Sequence, residues 1–306
     1  MYGMLLFALA FLAAEAPAPQ TLPAILARVS EEAEVLQQNA PKALTQETLQ
    51  QRSLMPPSRF RPRVGRAALE PSQPRLRTRE IVSEYTVGTL GQSASRDLVE
   101  FRQVISVDGR PVQSPEAARH ALAAGIQSPD DRTRKRMIEE FAKNGLVDVA
   151  TDYGLILLAF SKRGLEHMEI APAGEGRVGT DDALLFAWKQ TSAAGGVLEF
   201  NGGETVRRAL QGVLWVRKSD GLPLRVETWV EHMQSKRTVR DEATVDYTLS
   251  YHGFLTPASV VHRHLVGGQL LTENLYRYEP FKLFSADTEI KFTDLPEAAP
   301  PPPVKK

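Results

Sequence analysis

The sequence predicts an α+β fold in which a long antiparallel β-meander takes most of the chain and the helices are few. Three observations lead there. After Gly145 the chain holds a series of short apolar segments, several with strict period-two alternation. The joints between them are turn dipeptides too short to contain a helix, so successive strands must run antiparallel. Helical periodicity and helix-start signals are confined to the first half.

Taken in order, Leu5 to Ala14 (LLFALAFLAA) is an apolar run too short to span a bilayer as a helix, followed by small residues. That is the layout of a secretory signal peptide, although no Lys or Arg precedes it, and residues 1–18 are expected to be removed on export. Residues 19–51 form a helical segment. Leu22, Ile25, Leu26, Val29, Ala33 and Leu36 make an apolar stripe, broken at Pro41 and resumed between Leu44 and Leu49. The stripe is a docking face.

Residues 52–77 read as a basic, proline-broken arm. From Arg52 to Arg79 there are eight arginines against one acid, Glu70. Such a stretch serves as a solubilising linker or makes contact with an anionic membrane leaflet. Residues 78–295 form the main domain. Strands are expected over 78–90 and 97–107, with a turn at Asp108-Gly109. Ser114-Pro115 opens a helix over 116–124, and Ser128-Pro129-Asp130-Asp131 opens another over 130–143. The apolar run 153–160 counts with the β segments. Further strands follow at 182–190, 213–218, 222–231, 238–251, 257–266, 269–278 and 290–292. The strongest hairpin signal is Gly267-Gly268 between Val266 and Gln269. Gly195-Gly196 and Gly202-Gly203 read as hairpin ends. The proline-rich tail, 296–306, is disordered by composition.

Several chemistries are disfavoured. With no cysteine there is no acylated N-terminal anchor, disulfide or thiol site, and no later run is long enough for a membrane helix. Lys plus Arg equals Asp plus Glu at 37 each, so overall charge favours no nucleic-acid partner. No hydrolase elbow or phosphate loop is present. His262 and His264 share a strand face. With His252 or His232 and Glu273 they would make a metal site, but paired core or surface histidines are commoner. No metal, cofactor or catalytic residue is assigned.

The segment Leu214-Trp215-Val216-Arg217-Lys218-Ser219-Asp220-Gly221-Leu222-Pro223-Leu224-Arg225-Val226-Glu227 is a strand with a central Trp, a tight turn and an Arg-Val-Glu strand. With Val245-Asp246-Tyr247, Gly253-Phe254-Leu255-Thr256-Pro257 and Val261-His262-Arg263-His264, it resembles the periplasmic lipoprotein-carrier (LolA/LolB-like) superfamily over about residues 75–293. The resemblance implies a curved open antiparallel sheet, a half-barrel, packed around helices, with an apolar concave face able to hold acyl chains. The basic arm and the charged helix at Asp130 to Arg136 depart from the carrier pattern.

Val226, Val245, Tyr247 and Leu249 are expected on the dry face, covered by the helices of 116–143. Trp188, Trp215 and Trp229 join them as candidate ligand contacts, Trp229 being out of phase with its strand. The expected role is that of a non-enzymatic, periplasmic or secreted protein, acting as a structural or protein-interaction component of the cell envelope. The alternative is a carrier for a lipid or other apolar ligand.

Overall fold

The computed structural model describes residues 21–57, 73–90, 98–128, 130–149, 152–191, 198–201 and 204–283. The expected signal peptide, the proline-rich tail, the strand at 290–292, most of the basic arm and both Gly-Gly pairs of 195–203 lie outside them.

The described residues open with helix α1 (Leu22–Asn39), then one 3-10 turn (Ala40–Lys42). Strands β1 (Ala43–Met55), β2 (Arg75–Thr89), β3 (Leu98–Val107) and β4 (Arg110–Pro111) follow. Next come helices α2 (Pro115–Gln127) and α3 (Asp131–Ala142), a 3-10 segment (Tyr153–Phe160) and the single turn α4 (Lys162–Leu165). The second half is β5 (Met168–Val178), β6 (Asp181–Gln190), β7 (Leu198–Asn201), β8 (Glu204–Arg207), β9 (Gln211–Arg217), β10 (Pro223–Gln234), β11 (Arg237–Leu249), β12 (Leu255–Val266), β13 (Gln269–Tyr278) and β14 (Lys282–Leu283).

Among the described residues twelve strands form one open antiparallel sheet, in the order β4-β3-β2-β1-β13-β12-β11-β10-β9-β6-β5, with β14 paired to β1. The β7–β8 hairpin stands apart from it. The expected meander is present from β9 to β13. At the β12–β13 hairpin Gly267 and Gly268 have φ of 58° and 80°. A tight turn that matches strand twist needs two such residues, and glycine adopts them without a Cβ clash.

Three expectations are corrected. First, the chain at 43–55 is a strand, not a resumed helix or the start of a linker, and it is the strand that joins the two halves of the sheet, β2 on one side and β13 on the other. Its inward side chains Glu47, Leu49, Gln51 and Ser53 are all buried, three of them polar. Period-two alternation was therefore invisible in hydrophobicity. The arm likewise ends earlier than expected, because Arg75–Arg77 already belong to β2.

Second, Tyr153–Phe160 is a 3-10 segment rather than a strand. An unbroken apolar run suits any element buried on all sides, so periodicity does not discriminate. Asp152, at φ 70°, turns the chain into it.

Third, α2 and α3 are not the main cover of the face that carries Val245, which Phe141 near the end of α3 alone of their buried residues reaches. They cover the opposite face at β2 and β3, where Val99 and Phe101 pack against Leu122 and Met137. Both helices start as expected. Ser114 Oγ accepts from Ala117 N at 3.2 Å, and Asp130 Oδ1 accepts from Arg132 N at 2.9 Å. The face with Val245 is closed instead by α1, through Ile25, Val29, Ala33 and Leu36, and by Tyr153–Phe160.

Candidate functional site

The inner face, the one beneath α1, is organised in rows set by strand register. Phe186, Leu214, Val226, Val245, Val260, Tyr276, Leu49 and Ile81 are successive cross-strand partners from β6 to β2. None is more than 5% exposed. Burying each aliphatic member is worth about 1.5–3 kcal/mol, so this row is a principal source of stability.

Two residues further along the strands the inner face becomes polar. Thr228, Ala243, His262, Asn274, Gln51 and Arg79 are again successive partners. Gln51 Nε2 donates to Asn274 Oδ1 at 2.7 Å and to Val147 O at 2.9 Å, while Gln51 Oε1 accepts from Val147 N at 3.0 Å. Asn274 Nδ2 lies 3.1 Å from His262 Nδ1 and 3.2 Å from Asp148 O. The segment after α3 is thus tied across the polar row.

His262 and His264 do share a face, and their common partner is Asp241. Asp241 Oδ1 lies 3.3 Å from His262 Nε2 and 2.8 Å from His264 Nδ1. Burial works to raise the Asp241 carboxyl, but the two histidine hydrogen bonds outweigh it and hold the group well below the usual range. Tyr153 stacks on the His262 ring at 5.2 Å. Glu273, considered above as a fourth ligand, is paired with Arg263 at 2.8 Å instead. No cluster of three His, Cys, Asp or Glu suited to a metal occurs among the described residues.

A buried charged cluster anchors the apolar segment Tyr153–Phe160, the filler of the inner face. Arg102 binds Glu47 through two nitrogens at 2.7 Å each and Glu100 at 2.6 Å. The rings of Tyr85, Phe141 and Tyr276 lie 5.1, 5.1 and 5.5 Å from its guanidinium. Burial opposes the Arg102 charge, yet Glu47 and Glu100 drive its pKa well above the usual value, so it stays cationic. Glu100 also accepts from the backbone N–H of Asp152 and Gly154, each at 3.0 Å. Three carboxylates thus face one guanidinium. Burial raises Glu47 despite Arg102, and burial together with Glu100 pushes Asp152 up to about 7.

The seven candidate ligand contacts divide. Val226, Val245 and Trp188 are on the inner face and buried, with the Trp188 ring edge-on to Phe160 at 5.3 Å. Tyr247 is there too, and its hydroxyl donates to Gly154 O at 3.1 Å and accepts from Leu157 N at 3.0 Å. The filler therefore lies where a ligand would touch these four. Leu249 is corrected: at the end of β11 it is 56% exposed and is not part of the dry face.

Trp215 and Trp229 belong to the outer face. Arg225 sits over Trp215 at 5.8 Å and Arg240 over Trp229 at 5.2 Å. Trp229 also borders a shallow depression with Lys189, Gln211 and Glu231. Around them the outer face is laced by ion pairs, Arg225–Asp246 at 2.6 Å, Arg240–Glu231 at 2.8 Å and Arg240–Glu242 at 2.9 Å.

The sequence reading missed Glu47, Glu100, Arg102, Asp152, Gln51 and Asn274. They come from four separate elements, and no spacing links the residues of one element to those of another. The one available signal was an Asp preceding an unbroken apolar run.

No family model and no curated protein matches this chain. Among solved structures it is similar to a DUF1329 family protein from Desulfovibrio piger, at 11% identity and a TM-score of 0.35, over 84% of this chain and 92% of that one. It is also similar to an outer membrane lipoprotein-sorting protein domain from Vibrio parahaemolyticus, at 10% identity and a TM-score of 0.30, over 86% and 95%.

Proposed function

We propose that this chain is a non-enzymatic, exported component of the cell envelope that works through protein contact. The observation that supports it is the filled inner face. Every member of the apolar row is covered by the chain's own residues, which suits a scaffold whose partners bind from outside. The Leu5 to Ala14 run supports export. Native mass spectrometry after gentle release from the envelope tests this reading. The expected result is a lipid-free chain in fixed stoichiometry with an envelope protein that, when tagged, recovers this chain in turn. A retained lipid and no protein partner would overturn it.

One observation favours a second reading, a carrier for an apolar ligand. The inner face sets an apolar row beside a polar row, an arrangement suited to an amphiphile, and the cover over it that is not α1 is an eight-residue 3-10 segment held by Tyr247 and Glu100. A ligand would replace that segment. Titration with cis-parinaric acid while amide exchange is followed at 153–160 checks it. Saturable fluorescence with loss of protection there supports a carrier; no binding leaves the interaction role.

A further inference from the structure

The β1–β2 ribbon carries a charge that the rest of the molecule does not share. The chain as a whole is neutral, yet eight arginines and one acid fall between Arg52 and Arg79. In the described part of the ribbon, the backbone of β2 residues 75–79 pairs with β1 alone, and Leu54 and Met55 of β1 lie beyond the reach of β13. The ribbon's end therefore projects past its neighbours in the sheet.

Its two sides differ. Leu54 and Leu76 are cross-strand partners at the end, with Arg52 two residues behind Leu54 on the same side. Leu76 is 69% exposed. Arg75 and Arg77 lie on the other side, opposite Met55 and Ser53. The carboxylates nearest in register are already engaged: Glu273 with Arg263, Asp108 with Arg79, and Glu80 as acceptor from Gln50 Nε2. Among the described residues, Arg52, Arg75 and Arg77 have no acidic group in bonding range.

We infer that the end of the β1–β2 ribbon docks on an anionic lipid leaflet, with Arg52, Arg75 and Arg77 on headgroup phosphates and the Leu54–Leu76 pair at the headgroup–acyl boundary. Guanidinium forks match phosphate oxygens bidentately, and a short apolar wedge between cations is the pattern of an interfacial contact. The exposed Leu76 favours lipid over nucleic acid, whose backbone offers it nothing. This inference goes beyond the reading above and does not depend on what the inner face holds.

The test is co-sedimentation of the full chain with vesicles of phosphatidylcholine alone and of equal parts phosphatidylcholine and phosphatidylglycerol. Binding to the anionic vesicles is expected, weakening as salt rises. The Arg52→Gln/Arg75→Gln/Arg77→Gln variant, its fold checked by circular dichroism, should bind about a hundredfold more weakly, at the usual increment per basic residue near a charged leaflet. Leu76→Ser should give a smaller loss that salt does not alter. Equal binding by the wild type and the triple variant, or equal binding to the two vesicle types, overturns the inference. So does an RNA or DNA oligonucleotide that binds through the same arginines and strips the protein from the vesicles.

Discussion

Glu100 and Asp152 each use their carboxylate to accept the other's backbone N–H. Glu100 N donates to Asp152 Oδ1 at 2.8 Å, and Asp152 N donates to Glu100 Oε2 at 3.0 Å. This reciprocal pair fastens the start of the apolar filler to β3, and it puts two acids side by side in a region with one guanidinium. Asp152 is accordingly raised, first by burial and then by Glu100, from an ordinary 3.8 to about 7.

A pH dependence follows. An acid whose folded value lies above its unfolded value stabilises the fold in its protonated form. The Asp152 contribution is full below about 3.8 and is lost as pH rises through about 7. Asp152→Asn keeps the Oδ1 acceptor and cannot ionise. Urea unfolding between pH 5 and 8 should show wild-type stability falling relative to this variant as pH rises. Parallel profiles would contradict the assignment.

Arg102→Met should be severely destabilising. It leaves Glu47 and Glu100, both buried, without their cation, and stranding a buried charge costs about 3–5 kcal/mol. Equilibrium denaturation measures it. A change below 1 kcal/mol would mean the carboxylates find other partners or protons at little cost.

Tyr247→Phe removes one hydroxyl and leaves Gly154 O and Leu157 N unpaired in the interior. The expected loss is about 1–3 kcal/mol. Amide exchange should accelerate first at Leu157, the residue whose N–H loses its acceptor.

Val245→Asp and Leu249→Asp lie on one strand and should behave very differently. Val245 is fully buried between Val226 and Val260, so an unpaired carboxylate there costs several kcal/mol, roughly the penalty for a buried polar group. Leu249 is 56% exposed, and its replacement should stay within about 0.5 kcal/mol. Paired thermal melts decide it, and equal shifts would refute the placement of the two residues.

The strands of the second half were legible because Val226, Val245 and Tyr247 alternate with charged neighbours and the turns between them carry glycine. The α1 stripe was legible for the same reason, since one dry face repeats at a fixed period. β1 was not legible. Its inward side chains Glu47, Gln51 and Ser53 are polar, and only partners brought from β3, β13 and the segment after α3 make them fit to be buried. The apolar run at 153–160 announced that it would be buried, without announcing its geometry.

Local patterning was thus enough for the fold class, because periodicity and turn chemistry act over a few residues. It was also enough for the excess of arginine between Arg52 and Arg79, which is a property of composition. The closing of the inner face by α1 and Tyr153–Phe160, the removal of α2 and α3 to the opposite face, and the meeting of Glu47, Glu100, Arg102 and Asp152 were settled by tertiary packing. Burial makes a charge intolerable without a counter-charge, and the pair Arg102–Glu47 joins residues 55 apart in the chain, where no sequence period can connect them.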